Sequence, residues 1–219
     1  MIDTLLKSIL APITNLIASR INNKIQSIEY VNNMYNLLSS NYKSRLYIKN
    51  MLHVSHPVLF KDIYCPLSIA KLTTHEYDES SQIFNIKSVS TLMNQVNNIA
   101  IFGNAGSGKS TLVNYLYINS IEESYKFPIL IYLRYLNLST CSLVDYLKRQ
   151  VLGYKNIECS DEIFSTLLEN GCFLFFFDGY DEIISEKQYN IAIQIKDLVT
   201  NYPANKYVLT SRPLEHLYV

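Results

Sequence analysis

Apolar residues recur at steps of three and four along the beginning of the chain, which is the spacing that stacks side chains on one helix face. This stripe runs from Ile2 to Ile28, with a bend expected at Pro12. A second helical pattern follows from Met34 to Leu46. The stretch from Pro57 to Pro66 then favours extended chain, because proline disfavours helical backbone in the residue before it. The pattern predicts an α-helical N-terminal region over residues 1–55.

A connector over residues 56–97 has a weak signal: residues 73–82 are polar and predict a loop, and residues 89–96 predict a short helix. The pattern changes again beyond residue 98. Short apolar runs now alternate with longer helical ones, which is typical of a parallel sheet with crossover helices. The predicted strands cover 99–102, 129–133, 173–177 and 207–210, and the predicted helices cover 109–119, 142–151, 161–169 and 186–200. Residues 98–219 are therefore expected to form an α/β core.

Composition and charge narrow the class of protein. The chain is 48% hydrophobic and 17% charged, which is typical of a globular protein and excludes disorder along its whole length. Nineteen basic residues balance nineteen acidic ones, so no net charge draws the chain to nucleic acid or to an anionic membrane. Asp3 and Lys7 interrupt the first apolar stretch, so neither a signal peptide nor a membrane span fits. The four widely spaced cysteines indicate a reduced, cytoplasmic compartment.

A glycine-rich loop lies between the first predicted strand and the first predicted helix of the core. It fits the pattern G-x-x-x-x-G-K-[ST], and it holds three of the six glycines in the chain, which argues against a chance match. Backbone N–H groups of such a loop surround a phosphate, and the positive end of the following helix adds to the attraction. The predicted nucleotide-binding residues are Gly103, Asn104, Ala105, Gly106, Ser107, Gly108, Lys109, Ser110 and Thr111. Among them, Lys109 is expected to reach the β- and γ-phosphates, Ser110 to ligate Mg²⁺, and Thr111 to contact the α-phosphate.

An acidic cluster follows the most apolar strand of the sequence. The run Phe173 to Phe177 ends in Asp178, where strand ends in parallel sheets meet their ligands. This pattern is a Walker B motif, and Asp178 is expected to hold Mg²⁺ through water, since that ion takes few protein carboxylates beside phosphate oxygens. Asp181 and Glu182 follow after two residues, and either acid could position or deprotonate the attacking water.

An arginine follows the last predicted strand. If this strand lies beside the strand that precedes the phosphate loop, Arg212 faces the γ-phosphate and senses whether it is present. Arginine suits this role because its planar, permanently charged fork bonds phosphate oxygens in pairs. Together with the phosphate loop and the acidic cluster, it predicts the fold class: a three-layer α/β P-loop NTPase with a parallel sheet and crossover helices, preceded by a small α-helical region.

Several other functions remain open or are excluded by the same residues. The chain lacks the D-x-x-G and N-K-x-D patterns of a GTPase, because the fourth residue counted from Asp178 is Asp181 and no aspartate follows Asn205-Lys206 at the required position. Two alternatives stay open: a non-switching P-loop enzyme such as a kinase or motor ATPase, and a scaffold that holds nucleotide without hydrolysing it. Gly179 argues against a motor, in which a glutamate usually follows the Walker B aspartate directly, and Asp181 and Glu182 argue against the scaffold.

These motifs together resemble the NACHT-type nucleotide-binding domain of the STAND ATPases. The resemblance rests on Gly103–Thr111, on the Asp-Gly-Tyr-Asp-Glu ending of the run 173–182, and on the Leu-Thr-Ser-Arg-Pro segment 209–213. The segment Phe127–Arg134 is also similar to the second strand of that family, and 62–67 is weakly similar to a segment that often precedes the core. The resemblance covers roughly residues 60–215.

The resemblance implies a molecular switch with ATP, ADP and Mg²⁺ as ligands. Members of this family rest in an ADP-bound state, self-associate when ATP-bound, and act in innate immunity, cell death or antiviral defence in prokaryotes. For this chain it implies slow, regulatory ATP hydrolysis, with Asp181, Glu182 and Arg212 as catalytic residues. The family continues into further helical, winged-helix and sensor domains after the residues that match here, so the chain is expected to be part of a longer switch.

Overall fold

A computed structural model describes residues 2–20, 24–48, 57–71, 83–153 and 160–213 of the chain. The helices are α1 (Ile2–Arg20), α2 (Lys24–Leu46), α3 (Phe60–Ile63), α4 (Val89–Gln95), α5 (Lys109–Glu122), α6 (Leu143–Leu152), α7 (Ser160–Glu169) and α8 (Ser185–Asn201). The strands are β1 (Tyr47–Ile48), β2 (Val58–Leu59), β3 (Ser68–Ala70), β4 (Ile83–Asn85), β5 (Asn98–Phe102), β6 (Phe127–Tyr132), β7 (Phe173–Asp178) and β8 (Lys206–Ser211). None of the helices in these ranges is both long and apolar enough to cross a membrane.

The N-terminal region consists of two long helices that pack against each other and against the core. α1 contacts α5 and α7, and α2 contacts α5 and α6. The predicted stripe is buried along α1, but Ile25 and Ile28 lie exposed at the start of α2 rather than extending the first helix. The reason is that α2 buries a face of its own, formed at steps of four by Tyr30, Met34, Leu38 and Tyr42. The predicted domain boundary near residue 55 lies outside the described residues.

The connector contains short elements that the sequence pattern did not predict. β1 pairs with β2, and β3 pairs with β4, both antiparallel. The predicted extended stretch is interrupted by α3, a single helical turn that buries Phe60. The polar segment predicted as a loop over 73–82 lies outside the described residues. The predicted short helix at Val89 is present as α4, and the side chain of Ser88 caps its first turn by accepting a hydrogen bond from the N–H of Thr91.

The core is a parallel sheet of four strands in the order β5-β8-β7-β6. The last strand along the chain therefore lies beside the strand that leads into the phosphate loop, as predicted. Pro128 has no N–H to donate to a neighbouring strand. β6 tolerates this residue because it lies at the edge of the sheet and has a neighbouring strand on one side only. The flanking helices confirm the three-layer α/β P-loop NTPase fold.

Strand β7 shows why helices must cover both faces of this sheet. All six of its residues are buried, although their side chains point alternately to opposite faces. Phe176 contacts Tyr117 of α5, whereas Phe173 contacts Phe164 of α7, so the two helices cover opposite faces. Because the strand is apolar on both faces, it cannot lie at a solvated surface, and its only carboxylate, Asp178, stands at the end of the strand.

We expect the N-terminal helices to contribute to the stability of the whole core. Ile13 of α1 is 2% exposed and should cost about 2–5 kcal/mol of unfolding free energy when replaced by alanine, because the substitution leaves a cavity. Ile28→Ala is the matched control, since Ile28 is 60% exposed and its loss should change stability by at most about 0.5 kcal/mol. Urea unfolding followed by circular dichroism measures both. An unchanged transition in Ile13→Ala would show that the helices are a separable module.

A candidate nucleotide site at the carboxyl edge of the sheet

All four strands of the parallel sheet end at the same edge, so the residues that follow them are brought together. β5 is followed by the phosphate loop, β7 ends at Asp178, and β8 is followed by Arg212. The N–H of Gly103 donates to the carbonyl oxygen of Ser211 at 3.3 Å, which ties the start of the loop to the end of β8. The three groups of residues predicted as a site thus share one edge of the sheet.

The glycines of the phosphate loop stand where other residues would be strained or would clash. Gly106 and Gly108 have φ angles of 75° and 86°, in the left-handed region that favours glycine. A Cβ atom on Gly103 would lie 2.6 Å from Oγ of Ser107, and one on Gly108 would lie 2.8 Å from Cδ1 of Leu67. The loop is therefore tightly closed on itself, and Leu67 packs directly against it.

Lys109 opens α5 and folds back over the loop. Its Nζ donates to the carbonyl oxygen of Gly103 at 2.5 Å and to that of Asn104 at 3.0 Å. The first helical hydrogen bond runs from the N–H of Leu112 to the carbonyl of Gly108, so the N–H groups of residues 109–111 lie outside the ladder of the helix. Ammonium and N–H donors therefore converge at the start of α5, where the helix dipole also favours an anion.

A cleft of about 970 Å³ extends from the phosphate loop along β5. Gly103, Asn104, Ser107 and Lys109 line it at the loop. Its other walls are largely apolar and come from β5, from α4 and from the segment around β3, with Leu67, Ile69, Leu92, Val96 and Ile99 as the main side chains. Only a weak signal in the sequence indicates this wall: the similarity of residues 62–67 to a segment that often precedes the core. The cleft thus joins a polar, anion-attracting end to a mainly apolar body.

Asp178 is buried and fixed by the neighbouring strand. It is 5% exposed, and its Oδ1 accepts a hydrogen bond from Oγ1 of Thr210 at 2.5 Å. Thr210 in turn accepts from the N–H of Gly179 at 3.0 Å, so a single hydroxyl holds both the carboxylate and the chain that follows it. Thr210 belongs to the Thr-Ser-Arg-Pro segment, but the sequence motifs do not mark it as a site residue. This arrangement orients the carboxylate at the end of β7.

A tight turn carries the two acids that follow. Gly179 has a φ angle of 79° and precedes a single 3₁₀ turn, Tyr180–Glu182. A Cβ atom on Gly179 would lie 3.0 Å from Cδ of Glu182, so the Glu182 side chain folds back over the glycine. A small residue is thus required after Asp178 both for the backbone angle and for the space that Glu182 occupies.

The two acids of this turn contact different arginines. Asp181 pairs with Arg212: its Oδ1 accepts from the backbone N–H at 2.9 Å, and its Oδ2 lies 3.0 Å from Nε. Glu182 pairs with Arg134, whose Nη1 lies 3.3 Å from Oε2 of Glu182. The sequence predicted the acids and Arg212 but not these pairings.

Arg134 is a second residue of this edge, besides Thr210, that sequence reasoning missed. It lies on the short 3₁₀ helix Leu133–Asn137 that follows β6, and its guanidinium lies over the rings of Tyr132 and Tyr135. A hydrogen bond to Tyr135 and the carboxylate of Glu182 raise the pKa of Arg134, so it stays charged. Its position directly after a strand is the feature of the sequence that could have marked Arg134 as a site residue. A single arginine without a surrounding motif, however, does not distinguish a site residue from a surface residue.

The oxygen donors at this edge fit a magnesium ion that arrives with a nucleotide. Mg²⁺ is usually bound by one or two protein oxygens, with phosphates and waters completing its octahedron. The hydroxyl of Ser110 and the carboxylate of Asp178 are hard donors of this kind, and Thr210 engages only one of the two Asp178 oxygens. No cluster of three His, Cys, Asp or Glu side chains suited to a metal occurs within the described ranges.

We predict that the Thr210 hydroxyl is needed to hold Asp178. Thr210→Val keeps the shape of the side chain but leaves a buried carboxylate oxygen and the N–H of Gly179 without this partner, which should cost about 1–3 kcal/mol of unfolding free energy. Thr200→Val, at an exposed position of α8, should change stability by no more than about 0.5 kcal/mol. Chemical denaturation compares the two, and equal losses would contradict the assignment.

Comparison with known proteins gives the family directly. A search of curated proteins returns no match to the chain. Residues 97–217, more than half of the 219 residues, match the family described as the NACHT domain. The matched range begins next to β5 and includes the phosphate loop, Asp178, the acidic turn and Arg212. The chain therefore belongs to the NACHT family, whose domain is a P-loop NTPase module that binds nucleotide.

Proposed function

We propose that this chain binds ATP and Mg²⁺ and hydrolyses ATP slowly, as the nucleotide-dependent switch of a defence or cell-death protein. The observation that carries the proposal is the cleft, whose one end is the phosphate loop with Lys109 and whose body is mainly apolar. A nucleoside triphosphate has a similar division, with a charged phosphate chain at one end and, at the other, a flat aromatic base whose ring faces pack on apolar side chains.

The phosphate chain is assigned to the loop, and the base to the apolar walls. Lys109 already donates to two loop carbonyls, and it exchanges these for phosphate oxygens of higher charge. Leu67 packs against Gly108, so the wall of the cleft and the phosphate loop are in direct contact. We assign adenine rather than guanine, because the sequence lacks the N-K-x-D pattern that reads guanine.

Hydrolysis is assigned to the residues that follow β7 and β8. Ser110 and Asp178 hold Mg²⁺, which when bound neutralises charge on the phosphate oxygens. Asp181 or Glu182 orients the attacking water, and Arg212 contacts the γ-phosphate. ATP and ADP differ only in that phosphate, so a contact from Arg212 gives the two nucleotides different affinities for the same chain, which is the requirement for a switch.

The proposed output is self-association of the full-length protein in its ATP state, in the cytoplasm. Support for this part is the membership in the NACHT family together with the implied switch. No nucleic acid or membrane is proposed as a partner, in keeping with the balanced charge of the chain.

Nucleotide binding can be tested by thermal unfolding of the 219-residue chain with and without Mg-ATP. ATP at a hundredfold excess over its dissociation constant should raise the unfolding free energy by about 2.7 kcal/mol, because it binds only the folded state. Lys109→Ala should abolish this gain, since it removes the cation of the loop. Lys196→Ala, at an exposed lysine of α8, is the matched control and should keep the gain.

The same samples separate the proposed ATPase from a scaffold. Release of inorganic phosphate from ATP by the wild-type chain, lost in Lys109→Ala, supports hydrolysis. Binding without any phosphate release favours a nucleotide-holding scaffold. Absence of stabilisation by ATP in the wild-type chain, or an equal gain in Lys109→Ala, contradicts the proposal.

A further inference from the structure

The two acids of the Tyr180–Glu182 turn are held in different ways, and this difference suggests separate roles. Both carboxylate oxygens of Asp181 contact Arg212: one accepts a hydrogen bond from its backbone N–H, and the other lies beside Nε of its side chain. Glu182 makes a single, longer contact with Arg134, at 3.3 Å. Sequence reasoning treated the two acids as interchangeable candidates for the same step.

Asp181 fixes the direction of the Arg212 side chain. The Asp181 side chain is only 14% exposed, while that of Arg212 is 60% exposed, so the buried partner is the acid. The pairing uses the backbone N–H and Nε, which anchors both ends of the flexible stem of the arginine. The guanidinium approaches Asp181 through Nε, and its terminal Nη1 and Nη2 groups are the donors that a guanidinium uses to bind two oxygens of one phosphate.

Glu182 is held loosely by comparison, close to the end of β7. Its side chain folds over Gly179, the residue next to Asp178. The side chains of Arg134 and Glu182 are 49% and 43% exposed, and ion pairs of this exposure contribute little because water screens them. The Glu182 carboxylate can therefore leave Arg134 at little cost and turn to a water molecule beside the phosphate.

We propose, on the basis of the function proposed above, that Asp181 is a positioning residue that directs Arg212 at the terminal phosphate, and that Glu182 alone orients the attacking water. In the hydrolysis step the water oxygen forms a bond to the γ-phosphorus while the bond from this phosphorus to the bridging oxygen of ADP breaks. Glu182 accepts the proton that the water loses and releases it to solvent afterwards. The products are ADP, inorganic phosphate and a proton.

This division of roles predicts different effects for the two acids on nucleotide discrimination. Arg212→Ala should lower the ratio of ATP to ADP affinity by roughly tenfold, the effect of losing one hydrogen bond between charged groups. Asp181→Asn should lower the ratio in the same direction, because the amide can still accept from the backbone N–H but cannot accept from Nε through its nitrogen. The double variant should be no worse than Arg212→Ala alone, since both changes remove the same interaction.

Glu182→Gln should leave the ratio unchanged and lower turnover by at least about a hundredfold, the usual contribution of a positioned acid or base. Asp145→Asn is the matched control for Asp181→Asn. Asp145 is also paired with a basic side chain, that of Lys148 on α6, but it lies away from the site, so its replacement should change neither the affinity ratio nor the turnover. Isothermal titration with ATP and ADP and a phosphate-release assay provide all the values.

An unchanged affinity ratio in Asp181→Asn, or effects of Asp181→Asn and Arg212→Ala that add, would overturn the positioning role. If Asp181→Asn does not fold, Asp181→Glu gives the same test, because the longer side chain keeps the charge but cannot hold the backbone N–H and Nε of Arg212 in the same geometry. It should lower the ratio of ATP to ADP affinity, and an unchanged ratio would overturn the role. A wild-type chain that binds neither nucleotide contradicts the proposed function itself. If the wild-type chain binds both ATP and ADP, and Asp181→Asn leaves the ratio of their affinities unchanged, only this inference is contradicted.

Discussion

Complete burial of β7 is the constraint on which the rest of the structure depends. Five consecutive apolar residues, Phe173 to Phe177, expose hydrophobic surface on both faces of the strand, so the strand must be central and covered on each side. Tyr117 of α5 and Phe164 of α7 provide contacts from opposite faces. Because α5 starts at the phosphate loop, its packing against the face of β7 also fixes where that loop stands relative to Asp178.

Because β7 is buried, the polar and charged side chains of the core lie together at one edge of the sheet. Charged groups cannot lie within a strand that is covered on both faces, but they can follow it. Asp178 therefore stands at the last position of β7, satisfied by Thr210 of the adjacent strand. Beyond it the chain turns at Gly179, and its two acids contact arginines that follow β8 and β6. The edge is thus connected across three strands by side-chain pairs, while the fourth strand leads into the phosphate loop.

Most of the core could be predicted from the sequence, because its signals are local. The loop around Lys109 has a fixed spacing, and the run ending at Asp178 is too apolar for anything but a buried strand. Arg212 can face the phosphate loop only if β8 lies beside β5, and the pairing of the strands confirms this position. The predicted roles of Asp181, Glu182 and Arg212 stay predictions.

What could not be predicted depends on contacts between distant parts of the chain. The Arg134–Glu182 pair joins residues 48 positions apart, and no local pattern marks either as a partner of the other. The paired strands β1 to β4 have only two or three residues each, too few for a period of two to be visible. The helical period continued from α1 into α2, so it did not reveal that α2 buries a different face. The contact of Leu67, in the wall of the cleft, with Gly108 could not be predicted because it joins residues 41 positions apart.

The central claim is that the carboxyl edge of this sheet is a nucleotide site, and hydrogen–deuterium exchange of the 219-residue chain tests it most directly. Saturating Mg-ATP should slow exchange of the backbone amides in residues 103–111, which surround the phosphates, and in the turn over residues 179–182. Amides of α8, which lies outside the cleft, should exchange at the same rate with and without nucleotide. Unchanged exchange in residues 103–111 at saturating nucleotide would contradict the account.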